Sequence, residues 1–230
     1  METESNYRKK LIVSADDFGL SGRANENILK LARLGKIDRV SILINGFVLM
    51  EDIKELQKSN VKIDLHLTFP EGIRKRRGII RRSFVFLSKY ALHKSSVSVL
   101  EKEWRKQIDL FFENYGRAPD GLNSHEYIHF FPAYFKIAAG LCEKYNIPYL
   151  RFGKKGVIKN SSAVSRILGI LCEKNKRAFS ASGLLTSDYL ISLDWIKDAQ
   201  KLKNSFPKGT IEIVCHPQRE KEFKIIRQNF

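Results

Sequence analysis

Cysteine is scarce in this chain of 230 residues: Cys142, Cys172 and Cys215 lie far apart, with no Cys-x-x-Cys pair. An odd, dispersed set of thiols excludes a disulfide framework and a thiolate zinc site, and reads as small buried apolar residues. Long apolar runs are missing too. Nothing approaches the roughly 18 residues that span a bilayer, and Met-Glu-Thr-Glu-Ser-Asn at the amino terminus lacks the apolar core of a secretory leader, so the expectation is a cytoplasmic protein. No glycine-rich phosphate fingerprint follows the first apolar run, which argues against a dinucleotide site. Acidic residues are in short supply, 25 against 41 Lys and Arg, giving a net charge of +16. That excess draws anionic partners without dictating a fold. The basic residues are not interleaved with aromatics as on a nucleic-acid platform, so nucleic acid is not the expected partner.

The remaining composition, 43% apolar, is that of an ordinary globular domain, and one domain over 1–230 is expected. Apolar runs and helical spacings alternate. Leu11–Val13 reads as a strand, Asn25–Leu34 as a helix closed by Gly35, and Arg39–Asn45 as a second strand. A short helix over Glu51–Lys58 and a strand over Val61–Leu67 follow. A basic insertion at about 70–96, with Arg74, Lys75, Arg76, Arg77, Arg81 and Arg82, then interrupts the pattern. Val97, Leu100, Trp104, Ile108, Phe111 and Tyr115 recur every three or four residues and predict a long helix. Gly121–Ser124 predicts a strand, Phe131–Tyr145 a helix, Ile147–Leu150 a strand, and Ala163–Lys174 a helix. A short strand ending at Asp188, a helix over Ser192–Ser205 and a strand over Thr210–Cys215 complete the reading.

Strand then helix, repeated six or seven times, implies a mainly parallel sheet with right-handed crossovers. Polar residues arrive at the ends of several strands, and only a closed or distorted (β/α) barrel of TIM-barrel type brings those ends around one centre. Those residues are Asp16 and Asp17 after the first strand, His66 on the third, His125 with His129 after the fourth, and His216 after the last. Adjacent carboxylates are costly to bury unless a cation holds them. One carboxylate and two imidazoles would leave coordination positions open for water and substrate, as a catalytic metal requires, and the second carboxylate could take a proton from that water.

Two rival motifs occupy the same stretches. His125-Glu126-Tyr127-Ile128-His129 matches the zinc-protease pattern His-Glu-x-x-His, which needs a helix, but Gly121 upstream and the helix-breaking Pro132 downstream favour a loop. Cys215 and His216 are adjacent on a strand, so their side chains point to opposite faces and cannot form a nucleophile pair.

Leu-Ile-Val-Ser-Ala-Asp-Asp-Phe-Gly-Leu-Ser at 11–21, Asn25, Ser41–Asn45, Asp64-Leu65-His66-Leu67, Asn123-Ser124-His125 with His129 and Pro132, and Cys215-His216-Pro217 together resemble the YdjC-like carbohydrate deacetylases. That group includes chitooligosaccharide and hopanoid-biosynthesis deacetylases. The resemblance implies a distorted (β/α) barrel, a divalent metal and hydrolysis of an N-acetyl group from a sugar substrate. It implies Asp17, His66 and His125 as metal ligands, Asp16 as general base, His216 as the acid that protonates the departing amine, and His129 as a supporting or substrate contact. It suggests magnesium, whereas imidazole ligands by themselves favour zinc. Where members of the family commonly carry Asp-Ser-His-His-His-Val-His, this chain has Asn123-Ser124-His125-Glu126-Tyr127-Ile128-His129. The alternative from another class is a basic protein that binds nucleic acid or an anionic membrane surface on the same scaffold. The two combine if the arginine-rich insertion holds an anionic or membrane-linked sugar, which would place the protein peripherally at the membrane.

Overall fold

The computed structural model describes residues 11–69, 97–158, 160, 162–196 and 206–230. Its frame is seven strands: β1 (Leu11–Phe18), β2 (Arg39–Ile42), β3 (Lys62–Leu67), β4 (Gly121–Ser124), β5 (Gly156–Val157), β6 (Tyr189–Ser192) and β7 (Ile211–Cys215). All of their pairings are parallel, in the order β4-β3-β2-β1-β7-β6-β5. Read as a ring, that order is the chain order with a seam between β4 and β5. Two parallel bridges, Leu122 to Leu150 and Tyr149 to Leu185, run across the seam. The curl is also visible in one side chain. Arg151 follows the bridge to β4, yet it hydrogen-bonds Asp16 on β1, four strand positions from its own segment and about 19 Å distant if the sheet were flat. The fold is therefore a distorted α/β barrel.

The helices α1 (Gly22–Arg33), α2 (Met50–Lys58), α3 (Val97–Tyr115), α4 (Pro132–Lys144), α5 (Ala163–Ser182) and α6 (Glu220–Asn229) surround the sheet. The side chain of Ser21 caps α1 by accepting from the Ala24 amide at 3.2 Å. The apolar stripe of α3, namely Leu100, Trp104, Ile108, Phe111 and Tyr115, is buried as its spacing requires, and Gly116 at φ 65° ends the helix. Alternation divides each strand between two environments. Val13, Ala15, Val40, Ile42, Ile63, Leu65, Ile211 and Ile213 join the apolar core, while Ser14, Asp16, Arg39, Ser41, Asp64, His66 and Glu212 turn to the inner face. The inside of this barrel is thus filled by paired charges and hydroxyls, where bulky aliphatic layers are the common solution. No helix among the described residues is long and apolar enough to cross a membrane.

Four expected elements differ. The short strand expected to end at Asp188 instead begins after it, as β6 at Tyr189, because the preceding helix runs on to Ser182. Ile147–Leu150 forms no continuous strand, because Pro148 has no amide to donate and the segment divides its hydrogen bonds between Leu122 and Leu185. The helix expected to end at Lys174 runs on to Ser182, since Asn175 and Phe179 continue its buried face, and it stops at Gly183 in the left-handed conformation. Ser192 closes β6 and Leu193–Trp195 is a single 3₁₀ turn where a helix was expected. The remainder of that helix, at 197–205, and the basic insertion at 70–96 lie outside the described residues.

Candidate active site

Because every strand runs the same way, the carboxyl ends of β1, β3, β4 and β7 open at one end of the barrel. On a regular strand Asp16 and Asp17 would point to opposite faces. The register between β1 and β2 slips after Ala15, and Asp17 adopts φ 70°, a left-handed backbone that an L-residue holds only where its surroundings compel it. This bulge turns Asp17 back toward the mouth, so both carboxylates reach the site. The turn is closed by the Leu20 amide donating to the Asp17 carbonyl at 3.0 Å. Asn25 steadies it by accepting from the Gly19 amide at 2.7 Å and donating to the Phe47 carbonyl at 2.9 Å.

At the mouth, Asp17, His66 and His125 offer ligand atoms that all lie within 4.8 Å of one another. Asp17 Oδ1 is 3.0 Å from His125 Nδ1 and 3.5 Å from His66 Nε2. Asp17 and His66 are buried, whereas the His125 side chain keeps 31% of its exposure, so the trio is open on one side only. Burial by itself would raise the Asp17 pKa, but hydrogen bonds from His125 and His66 outweigh it and hold the carboxylate well below its usual range. His125 is shifted upward in turn: burial opposes its charge, and the Asp17 hydrogen bond overcomes that. The donor set fits a divalent cation. One anionic oxygen and two imidazole nitrogens converge from three strand ends, and the buried Oε1 of Gln218 has no hydrogen-bond partner among the described residues although its Nε2 donates to Asp17 Oδ2 at 2.8 Å. An acceptor left bare beside a carboxylate calls for a donor brought in with a ligand, such as a water.

Asp16 sits one step deeper. Its Oδ2 accepts from Arg151 Nη1 at 2.7 Å, and its Oδ1 accepts from Arg151 Nη2 at 2.9 Å and from Ser41 Oγ at 2.7 Å. The same guanidinium donates through Nε to Glu212 Oε1 at 2.6 Å, and Glu212 is further held by Ser14 Oγ at 2.8 Å and Tyr149 OH at 2.6 Å. Burial pushes the Asp16 pKa up, but the Arg151 charge overcomes it and sets it at about 2. Asp16 is therefore ionised at neutral pH. Of the four acceptor positions of a carboxylate, three are taken and one on Oδ2 is left.

His216 follows β7. Its amide donates to Glu222 Oε2 at 2.7 Å and its Nδ1 lies 3.2 Å from the same oxygen, while Arg219 pairs with Glu222 Oε1 at 2.7 Å. Burial disfavours the charged ring, but the Glu222 hydrogen bond and the Asp17 charge prevail, raising its pKa to about 9. A histidine whose folded pKa lies above its free value near 6.5 adds stability that is complete below that value and fades as pH rises through about 9. The melting temperature of the wild type should therefore exceed that of Glu222→Gln by a few degrees at pH 6, with the gap narrowing by pH 10 to what the Arg219 pair contributes. A gap that stays constant over that range would refute the assignment.

His129 is fully buried, with Nδ1 at 2.5 Å from Ser124 Oγ and Nε2 donating to the Arg151 carbonyl at 2.8 Å. Burial lowers its pKa to about 3. With both ring nitrogens engaged, its place here is to fix the backbone that carries Arg151. The His-Glu-x-x-His segment is no α-helix: Glu126 and Tyr127 have φ 57° and 56°, and His125 and His129 point to different partners. The zinc-protease geometry is absent. Cys215 is buried, which pushes its thiol pKa well up.

The reading of the sequence brought Asp16, Asp17, His66, His125 and His216 to one end, as the structure does. It missed Arg151, Glu212, Gln218 and Glu222. Glu212 carried a signal, since an acid alternating with Ile211, Ile213 and Val214 on a buried strand must find a cation on the inner face. Arg151 carried none, lying in a segment without periodicity.

The family model described as YdjC-like protein matches residues 10–229. A carbohydrate deacetylase of Halalkalibacterium halodurans is 31% identical over 222 residues, which is 90% of this chain and 84% of the relative. A chitooligosaccharide deacetylase of Escherichia fergusonii is 26% identical, covering 90% of this chain and 81% of the relative. The human carbohydrate deacetylase is 26% identical across 82% of this chain, and the chain spans 64% of that longer relative. Among solved structures, a protein of Enterococcus faecalis titled a putative cellobiose-phosphate cleavage protein superposes with a TM-score of 0.61 at 20% identity, covering 90% of this chain and 80% of that one, a likeness of fold alone.

Proposed function

Since the chain belongs to the YdjC-like family, we propose that it is a divalent-metal-dependent hydrolase that removes the N-acetyl group of an acetylated sugar. The observation that carries this reading is the convergence of Asp17, His66 and His125 beside an ionised Asp16 and a protonated His216. The relatives named carbohydrate deacetylase and chitooligosaccharide deacetylase support the substrate class. Asp17, His66 and His125 would hold the cation, magnesium or zinc. When bound there, a divalent cation polarises the acetamide carbonyl and makes water more acidic. The protein's own groups then divide the proton work. Asp16, with one acceptor position left, takes the proton of the attacking water, and Arg151 keeps the carboxylate ionised for that role. His216, held protonated by Glu222, gives its proton to the departing amine nitrogen. Two titratable groups whose surroundings drive their pKa values apart, to about 2 and about 9, are a base and an acid by environment.

Acetate release from N-acetylated chitooligosaccharides and monosaccharides should fall at least 100-fold after chelation and return when magnesium or zinc is restored. A rate indifferent to chelator would overturn the metal assignment, and no acetate from any N-acetylated sugar with either metal would overturn the reaction. Binding to anionic vesicles that collapses steeply with salt would favour the membrane-surface reading, which rests on the net charge of +16 and the insertion at 70–96.

A further inference from the structure

We infer that Ser41 and Asn123, neither of which is among the proposed ligands, fix the ring of His66 as the Nδ1–H tautomer and so reserve its Nε2 for the cation, tying the ligand to the proposed base through one hydroxyl. The inference rests on the metal reading given above. It follows from counting protons along one buried chain. Ser41 Oγ has three neighbours: Asp16 Oδ1 at 2.7 Å, Asn123 Nδ2 at 2.9 Å and Arg151 Nη2 at 3.2 Å. A hydroxyl has one proton to give and two lone pairs to offer. The Asp16 carboxylate, paired with Arg151 through both oxygens, can only accept, and the guanidinium can only donate. The single proton of Ser41 therefore goes to Asp16, and its lone pairs take N–H groups from Arg151 and Asn123. That fixes which way the Asn123 amide lies, with nitrogen to Ser41 and oxygen to His66.

The oxygen of Asn123 makes a short contact with His66 Nδ1, and an amide oxygen has no proton to give, so the proton is on Nδ1. The opposite nitrogen, Nε2, faces the Asp17 carboxylate at 3.5 Å and is the position a cation would take in place of a proton. Two bare acceptors that close would repel each other, so the gap holds a proton until a cation displaces it. Ser41 and Asn123 are wholly buried and His66 is 2% exposed, so water does not enter to scramble this polarity.

The test uses the full-length protein and zinc ion alone, read by titration calorimetry, with melting curves as a control for folding. Asn123→Leu should weaken zinc binding about 10- to 100-fold, and Ser41→Ala, which removes a group two hydrogen bonds from the metal, about 10-fold. Asn123→Asp keeps an acceptor for Nδ1–H and should stay within a few-fold of wild type. Folded Ser41→Ala and Asn123→Leu proteins that bind zinc as tightly as wild type would overturn the inference. If those variants do not fold, nitrogen-15 spectra of histidine-labelled, zinc-loaded wild type decide, with His66 identified by a His66→Gln variant. A proton on Nδ1 with metal-shifted Nε2 supports the relay, and the reverse pattern overturns it. Zinc binding that follows this pattern without acetate release would count against the proposed reaction and leave the relay standing.

Discussion

Replacing Asp17 by alanine should cut acetate release about 1,000-fold or more and abolish tight metal binding, while replacing Asp16 by asparagine should slow the chemistry about 100- to 10,000-fold with the metal still bound. The two residues are adjacent in sequence, and only geometry makes their defects differ. Asp17 alone shares the mouth with His66 and His125, and each imidazole lies within 3.5 Å of its Oδ1. Removing it leaves two imidazoles and no anionic ligand in the trio, and the affinity of such a pair for a hard cation is slight. Among the described residues the hydrogen bonds of the Asp16 carboxylate go to Arg151 and Ser41 and not to either ring, with one acceptor position left. The asparagine variant keeps the shape and loses the one position that accepts a proton. Metal content after gel filtration, measured alongside acetate release, separates the cases. Equal metal content and equal rates in the two variants would sink the division of roles.

Arg151→Leu should destabilise the protein by about 3–5 kcal/mol, because it strands Asp16 and Glu212 as unpaired charges in the barrel interior. For a chain of this size that lowers the melting temperature by about 6–20 °C. The pH dependence should also change sign. In the wild type the Asp16 pKa is depressed to about 2 from 3.8, so its contribution is present above 3.8 and is lost as pH falls through about 2. Without the guanidinium, burial raises that pKa above 3.8, the folded state binds protons more readily than the unfolded, and stability rises on mild acidification. Melts at pH 4 and pH 7 would show it: the variant should be closer to the wild type at pH 4. Arg151→Lys should fall between, since one ammonium cannot span two carboxylates as a fork does. A leucine variant as stable as the wild type at pH 7 would show that the interior charges are solvated after all.

How far the sequence reaches can be judged from these same residues. The strand-helix alternation, the apolar stripe of α3 and the arrival of Asp16, His66, His125 and His216 at strand ends were legible, because period and position along a strand are local properties. The resemblance of spaced motifs supplied the family and the expected ligand set. Asp17 was legible as a candidate, yet its direction was not, because an ideal strand aims it at the helices and only the bulge after Ala15 brings it round. His129 shared a motif with His125, but the turn at Glu126 and Tyr127 parts them and buries His129 against the Arg151 backbone. The pairing of Arg151 with Asp16 and Glu212 spans 135 and 61 residues of chain and follows from no local pattern. The sequence by itself determined that Asp16, His66, His125 and His216 gather at one end of the barrel, since each sits at or just past the end of its own strand. Tertiary structure alone decided the charge and proton state of each, since those depend on what the curled sheet places opposite it.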